Sequence, residues 1–321
     1  MDSSEVGGVR EMRFLVLGGY GAVGARIAEL LRAGGHVALA AGRDPARADR
    51  VLDLRQVRPG GDDAYREAAA AADVVVNASG AEDPHLALAA TAVGTAYVDI
   101  TADTRYVAAV EALRPAAPVL LSVGLAPGLS GILATEAAAA APGPVDLAVV
   151  LGAGERHGAA ATDWSYRLLG QRFADTGGGR PVLNYSAPQR FEVPLLGQRR
   201  LYRTDFADQH TLTRRLGVPV RTFFGLDSRT ATGALAVLTR VPGSDRLPRG
   251  GHLPGTDRWW VLARAADGAV RWAHGRTQSH ATALVAARAA TAAAGLPPGV
   301  HHLPDVLTAA DLPAELAVRG R

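Results

Sequence analysis

The chain has no cysteine among its 321 residues. That excludes disulfides, thiolate nucleophiles, iron–sulfur clusters and Cys-type zinc sites. Lysine is absent too, so all 34 basic residues are arginine. A Schiff-base lysine and a Tyr-x-x-x-Lys proton relay are therefore both excluded. No apolar run is long enough to cross a bilayer, because the longest, 132–152, is broken by Glu136, Pro142, Pro144 and Asp146. Met1–Met12 carries Asp, Glu and Arg and no apolar stretch, so a signal peptide is not expected and the expected location is cytoplasmic. Neither sign of charge dominates, at a net +3. Arginines gather over 190–203 and at Arg214, Arg215 and Arg221, but Glu192 and Asp205 interrupt them and no stripe of stacking aromatics runs alongside. Neither a nucleic-acid partner nor a membrane partner is expected.

What is present is apolar material, 48% of the residues, in a length that suits about two domains. The first half alternates. Short apolar runs at Arg13–Gly19, His36–Ala41, Asp73–Asn77, Ala96–Ile100 and Pro118–Ser122, with a weak one at Val51–Leu54, read as strands. Helical spacing fills the gaps at Ala22–Ala33, Ala64–Ala72, Pro84–Val93 and Thr104–Leu113. This predicts an α/β fold with a Rossmann doubly wound parallel sheet. After Pro142-Gly143-Pro144 the runs change: Asp146–Leu151, Arg190–Pro194, Arg199–Arg203, Arg221–Gly225 and Trp259–Arg264 predict an antiparallel sheet in a second α+β domain, with a helix at Ala231–Leu238. A long Ala-rich helix, Gln278–Ala294, and a short one at Leu312–Val318 end the chain. The expected division is 1–130 completed by 278–321, with 131–277 as the second domain and the surface through which a homodimer would form.

Gly19-Tyr20-Gly21-Ala22-Val23-Gly24 is a G-x-G-x-x-G that follows a strand and opens a helix. Gly19 is expected to permit the tight turn, Gly21 to let backbone approach a pyrophosphate, and Gly24 to let helix and sheet close up. The second strand then ends not in an acid for a ribose diol but in Ala41-Gly42-Arg43-Asp44. Arg43 suits a 2′-phosphate, so NADP(H) is the expected cofactor, unless Arg43 is simply a solvated arginine. Asp44 stands one residue late and is expected to cap the next helix.

Ligands of such sheets lie beyond the carboxyl ends of the strands. Those ends hold Asn77-Ala78-Ser79-Gly80, small residues against which ribose and nicotinamide could lie, then Asp99, Thr101 and Asp103. The alternative for Thr101 and Asp103 is helix capping. With no Lys or Cys, the proton-donor candidates are Asp99, Asp103, Tyr166, His274 and His280, or a water, with Asp99 first because it ends a strand. Trp164, Tyr166 and Arg167 are further candidates from the second half, against a reading as packing residues. His210, His274, His280, His301 and His302 show no ligand spacing, so no metal is expected.

The stretches VLGGYGAVGARIAELL, AGRD, VVNASG, YVDIT and SVGLAPGLSGILA, with GRTQSHATALVAARAATAAAGLPPGVHHLPDVL, resemble the saccharopine dehydrogenase-like family of NADP-binding oxidoreductases. The resemblance covers about 13–140 and 270–319. It implies a Rossmann unit, an α/β unit with an antiparallel sheet, and a C-terminal helix that returns to the Rossmann sheet. It also implies NADPH-dependent hydride transfer to a C=N carbon of a small metabolite, or else to C=O or activated C=C. Two positions depart from the family pattern. Ala126 stands before Pro127-Gly128 where saccharopine-forming members usually carry Asp, and Ala102-Asp103 stands where Gly-Glu is frequent. A non-catalytic NADP(H)-binding sensor is the alternative that the loss at position 126 leaves open.

Overall fold

A computed structural model describes residues 10–155, 159–246 and 255–320. Its first half runs β1 (Arg13–Leu17), α1 (Gly24–Ala33), β2 (Val37–Gly42), β3 (Arg50–Val51), α2 (Asp63–Ala70), β4 (Val74–Asn77), α3 (Pro84–Ala92), β5 (Ala96–Asp99), α4 (Thr104–Glu111), β6 (Pro118–Leu121) and α5 (Leu129–Ala140). The second half runs β7 (Val145–Leu151), α6 (Ala159–Arg167), β8 (Arg172–Phe173), β9 (Val182–Leu183), β10 (Ser186–Val193), β11 (Gly197–Arg203), α7 (Ala207–Leu216), β12 (Val220–Leu226), α8 (Arg229–Leu238), β13 (Arg258–Arg264) and β14 (Val270–Arg276). The chain closes with α9 (Gln278–Ala293), β15 (Gly299–His302), α10 (Leu303–Val306) and β16 (Arg319–Gly320).

Strands such as β4 and β6 are apolar without alternation, and every residue of both is buried. A strand of that kind needs cover on both faces, which crossover helices of a parallel sheet provide. The first sheet has the order β15-β6-β5-β4-β1-β2-β3, parallel throughout. The chain enters at β1, winds outward to β3, then crosses back to β4. The carboxyl ends of β1 and β4 therefore flank the switch point. The sequence predicts six strands. The seventh, β15, is only GVHH and too polar to read as a buried strand.

The second sheet has the order β10-β11-β12-β7-β13-β14-β16. Its neighbours pair antiparallel except β12 and β7, which run parallel from Val220↔Val145 to Leu226↔Leu151. The expectation of an antiparallel sheet is corrected at that pair. Some seventy residues, including α6 and α7, separate the two strands, enough to bring the chain back in the same direction. The tail also departs from expectation: Leu312–Val318 is not one α-helix. Two single 3₁₀ turns, Ala309–Asp311 and Ala314–Leu316, flank Pro313, whose ring removes a donor and pushes Leu312 out of the helical region.

Two Ala-rich helices join the sheets. α5 packs on β7, β13 and β14, and α9 packs on α1, β4, β5, β6 and β14. One apolar core consequently runs from Phe14 and Val16 through Leu133 and Val285 to Trp259 and Val261. Among the described residues no helix is long and apolar enough to cross a membrane.

Candidate functional site

The glycine loop leaves β1 over the end of β2, where the N–H groups of Gly18 and Gly19 both donate to the Ala41 carbonyl. The left-handed turn belongs to Gly18 (φ 71°), not to Gly19 as expected. A Cβ on Gly18 would stand 2.6 Å from the Ser79 Cα, so this glycine also brings the β1 and β4 loops into contact. Gly19 is pressed on β2, its absent Cβ 2.5 Å from the Ala40 Cα, and a Cβ on Gly24 would strike the Gly18 carbonyl. Gly21 differs. It is exposed, and the Gly18 carbonyl oxygen at 3.1 Å is its one close neighbour. The helix starts two residues later than expected, leaving exposed Ala22 and half-buried Val23 in the loop. No side chain caps the start of α1 and no acid stands in its first turn. Its leading N–H groups are therefore offered to an anion in front of Gly21.

At the end of β2, Arg43 is exposed and makes no hydrogen bond or ion pair among the described residues. Asp44 turns inward: its Oδ1 accepts from the Ala46 N–H at 3.0 Å. It caps a turn over 44–47 rather than a helix. Tyr20 lies across Gly42, its hydroxyl accepting from the Asp44 N–H at 3.1 Å.

Beyond β4, the Asn77 side chain organises the loop. Its Oδ1 accepts from the Ser79 N–H at 3.2 Å and the Ser79 hydroxyl at 2.6 Å, and its Nδ2 donates to the Ala81 carbonyl at 3.0 Å. Ala78 and Ser79 are half-buried against the glycine loop and Gly80 (φ 75°) is exposed. The structure thus brings together the three stretches expected to hold the nucleotide, 19–24, 42–43 and 77–80.

Asp99 does not face an opening. It is fully buried, and its carboxylate accepts from Asn77 Nδ2 at 2.8 Å, the Tyr97 hydroxyl at 3.1 Å, the Tyr106 hydroxyl at 2.6 Å and the Thr101 N–H at 2.7 Å. Burial, followed by the Asp99 charge, pushes the Tyr106 phenol far above its ordinary value. Four donors around a sealed carboxylate make an anchor for the β4 and β5 ends, which corrects the expectation of a proton donor there. Asp103 caps α4 through the Arg105 and Tyr106 N–H groups, both at 2.9 Å.

A residue with no sequence signal also stands at this edge. Glu82, on the loop after β4, pairs with Arg167 at the end of α6 at 2.5 Å, and the same guanidinium stands 3.9 Å from Asp103. Partial burial pushes the Glu82 carboxyl up, the Arg167 hydrogen bond pulls it down, and the Asp103 charge raises it again. The three residues tie the carboxyl edge of the first sheet to the second half of the chain. Tyr166 and Trp164 pack beside Ala126 on an apolar cluster of Tyr185, Phe206 and Phe224. Their packing reading holds, with Trp164 edge-on to Phe206 at 4.8 Å. His280 lines a groove of about 580 Å³ with Tyr20, Gly21, Ala22 and Arg26, beside the glycine loop. His274 stacks on Trp272 at 5.4 Å, and burial, aided by Arg319 and Arg258, lowers its imidazole. Among the described residues no group of three His, Asp or Glu could hold a metal.

These features sit on a Rossmann-type α/β fold of the kind dehydrogenases use. The chain is similar to a saccharopine dehydrogenase (L-Glu forming) from Saccharomyces cerevisiae, solved in its apo form, with a TM-score of 0.58 and 14% identity, covering 92% of this chain and 95% of that one. An amine dehydrogenase from Mycobacterium smegmatis gives 0.43 and 14%, covering 95% and 97%. A probable aspartate-semialdehyde dehydrogenase from Pseudomonas aeruginosa gives 0.35 and 15%, covering 80% and 75%. No protein-family model matches the sequence, and no curated protein matches it. At such identities the first likeness establishes the fold alone.

Proposed function

We propose that the chain is an NADP(H)-dependent oxidoreductase that reduces a C=N carbon of a small metabolite, with C=O or activated C=C as the next choices. The observation that carries it is the exposed Gly21 in front of an uncapped, acid-free helix start, with the unpaired Arg43 at the end of β2. Those residues fit a dinucleotide: Gly21 and the start of α1 for the pyrophosphate, Arg43 for a 2′-phosphate, and 78–80 for the nicotinamide half. Bound there, the reduced cofactor supplies the hydride.

The chain's own part is the proton and the orientation. Glu82, its carboxyl raised by partial burial and set beside Arg167, is the proton donor of this proposal, toward a substrate nitrogen. Arg167 fixes Glu82 and Asp103 in place, and its half-exposed guanidinium remains open to a substrate carboxylate. Trp164 and Tyr166, just before Arg167 on α6, and Ala126 pack on an apolar cluster. Assembly as a homodimer through 131–277 belongs to the same proposal.

The test is NADPH oxidation by the purified chain with a panel of keto acids, each offered alone and with primary amines. Turnover that requires the amine supports the reading. Tight NADPH binding with no turnover on any panel member would favour a sensor.

A further inference from the structure

Arg43 is not the only guanidinium at the end of β2. Arg47 lies over the ring of Tyr20, with its guanidinium carbon 4.5 Å from the ring centroid, and Nη2 donates to the Tyr20 carbonyl at 2.8 Å. The Cε1, Cζ and hydroxyl end of that ring rests on Gly42, where a Cβ would stand 2.5 Å from Cε1 and the hydroxyl. The ring is thus held against the end of β2 and carries the Arg47 guanidinium. Arg47 is exposed, and its one polar bond is to a neutral carbonyl, so its charge is not neutralised by any ion pair among the described residues.

The nearby acids are all engaged elsewhere. Asp44 accepts from the Ala46 N–H, Asp49 pairs with Arg32, and Asp53 pairs with Arg55 at 2.6 Å. Asp53 also feels the Arg43 charge, and its carboxyl falls to about 2, chiefly through the Arg55 hydrogen bond. The end of β2 therefore presents two arginines, four residues apart, that form no ion pair among the described residues. A solvated arginine needs no aromatic seat. One that is stacked and bonded to the loop that would meet the nucleotide is held in place before any ligand arrives.

We infer that Arg47, seated on Tyr20, is a second ligand for the ribose 2′-phosphomonoester and sets the preference for a phosphorylated dinucleotide together with Arg43. Tyr20 is then a positioning residue: its ring holds Arg47. The inference rests on the dinucleotide reading proposed above.

The test is calorimetric titration of the whole chain with 2′,5′-ADP, 5′-AMP, NADPH and NADH, which needs no turnover. The wild-type chain binds 2′,5′-ADP more tightly than 5′-AMP. Arg47→Ala weakens 2′,5′-ADP and NADPH about tenfold and leaves 5′-AMP and NADH within twofold. Tyr20→Leu repeats that loss, whereas Tyr20→Phe, which keeps the ring, retains the preference. Arg43→Ala/Arg47→Ala abolishes it. Wild-type preference with no change in Arg47→Ala overturns the role of Arg47 while sparing the cofactor reading. A wild-type chain that does not distinguish 2′,5′-ADP from 5′-AMP overturns both. Circular dichroism of each variant separates lost binding from lost folding.

Discussion

The ring of Tyr20 occupies the space that a side chain on residue 42 would need, with a Cβ on Gly42 falling 2.5 Å from the ring and its hydroxyl. The backbone at position 42 is ordinary strand, so alanine would be unstrained there and the nearest obstacle is the ring. Gly42→Ala must push the ring off β2 or bend the strand. It should cost about 1–3 kcal/mol of stability, as overpacking does, and lower nucleotide affinity with it. Urea unfolding and NADPH titration of the variant measure both. An unchanged chain would mean that Tyr20 swings away freely.

The glycines of the loop should separate by experiment. A Cβ on Gly19 or Gly24 meets backbone, so Gly19→Ala and Gly24→Ala should destabilise the fold. A Cβ on Gly21 meets only the Gly18 carbonyl oxygen, at 3.1 Å, so Gly21→Val should disturb the fold less than Gly19→Ala or Gly24→Ala while abolishing nucleotide binding. Tight NADPH binding by Gly21→Val would place the pyrophosphate elsewhere.

How much of this was legible follows from the range of each interaction. Strands β1, β4 and β6 announce themselves because their apolar runs need no partner to be read. The glycine loop is legible as a motif, but which glycine takes the turn depends on the doublet Gly18-Gly19 and on Ser79. Glu82 carried no signal: it is an acid before Asp-Pro until Arg167, 85 positions away, folds against it. The orientation of Asp99 was equally hidden. All four residues of β5 are buried, so alternation cannot tell its two faces apart. Only the positions of Tyr97, Tyr106 and Asn77 decide it. The parallel pairing of β7 with β12 is a property of the long connection, which strand patterning does not encode.

Asp208 gives a stability prediction with a definite sign. It lies fully buried on α7, its Oδ2 accepting from the Ser130 hydroxyl at 2.5 Å. Burial raises its carboxyl above the ordinary value, against the pull of that hydroxyl. Between the ordinary and the raised value the folded chain holds the proton that the unfolded chain has released. Stability therefore falls as pH rises through that window. Asp208→Asn, neutral at every pH, should remove this fall and be the more stable chain at neutral pH. Urea midpoints of both proteins from acid to neutral pH check it, and parallel curves would refute it.

Glu82 gives a catalytic one. If its protonated form delivers the proton, kcat/KM for reduction should decline as pH rises through its raised value. Glu82→Gln should lose roughly 10²- to 10⁴-fold and lose that limb. Arg167→Ala removes the partner that lowers Glu82, so the declining limb should move to higher pH. A limb that stays put in Arg167→Ala would assign the proton to another group.

Asp99 separates an anchor from an acid most cleanly, because the two roles predict opposite profiles. As an anchor, its Oδ2 gathers Asn77, Tyr97 and Tyr106 and its Oδ1 holds the Thr101 N–H. Asp99→Asn turns one acceptor oxygen into an amide NH₂, a donor that faces these donors. Buried hydrogen bonds to a charged group are worth about 1.5–3 kcal/mol each, so the variant should lose at least that much stability. Tyr106→Phe removes a single donor and leaves the carboxylate three others, so its loss should stay within the value of one such bond, about 1.5–3 kcal/mol, and below that of Asp99→Asn. Because the network also shapes the loop at 77–81, nucleotide affinity should fall alongside stability in Asp99→Asn. A proton donor would behave otherwise: Asp99→Asn would fold and bind NADPH as the parent does, yet fail to turn over. Urea unfolding, NADPH titration and single-turnover reduction on the same preparations distinguish the two, and the second profile would return Asp99 to the chemistry.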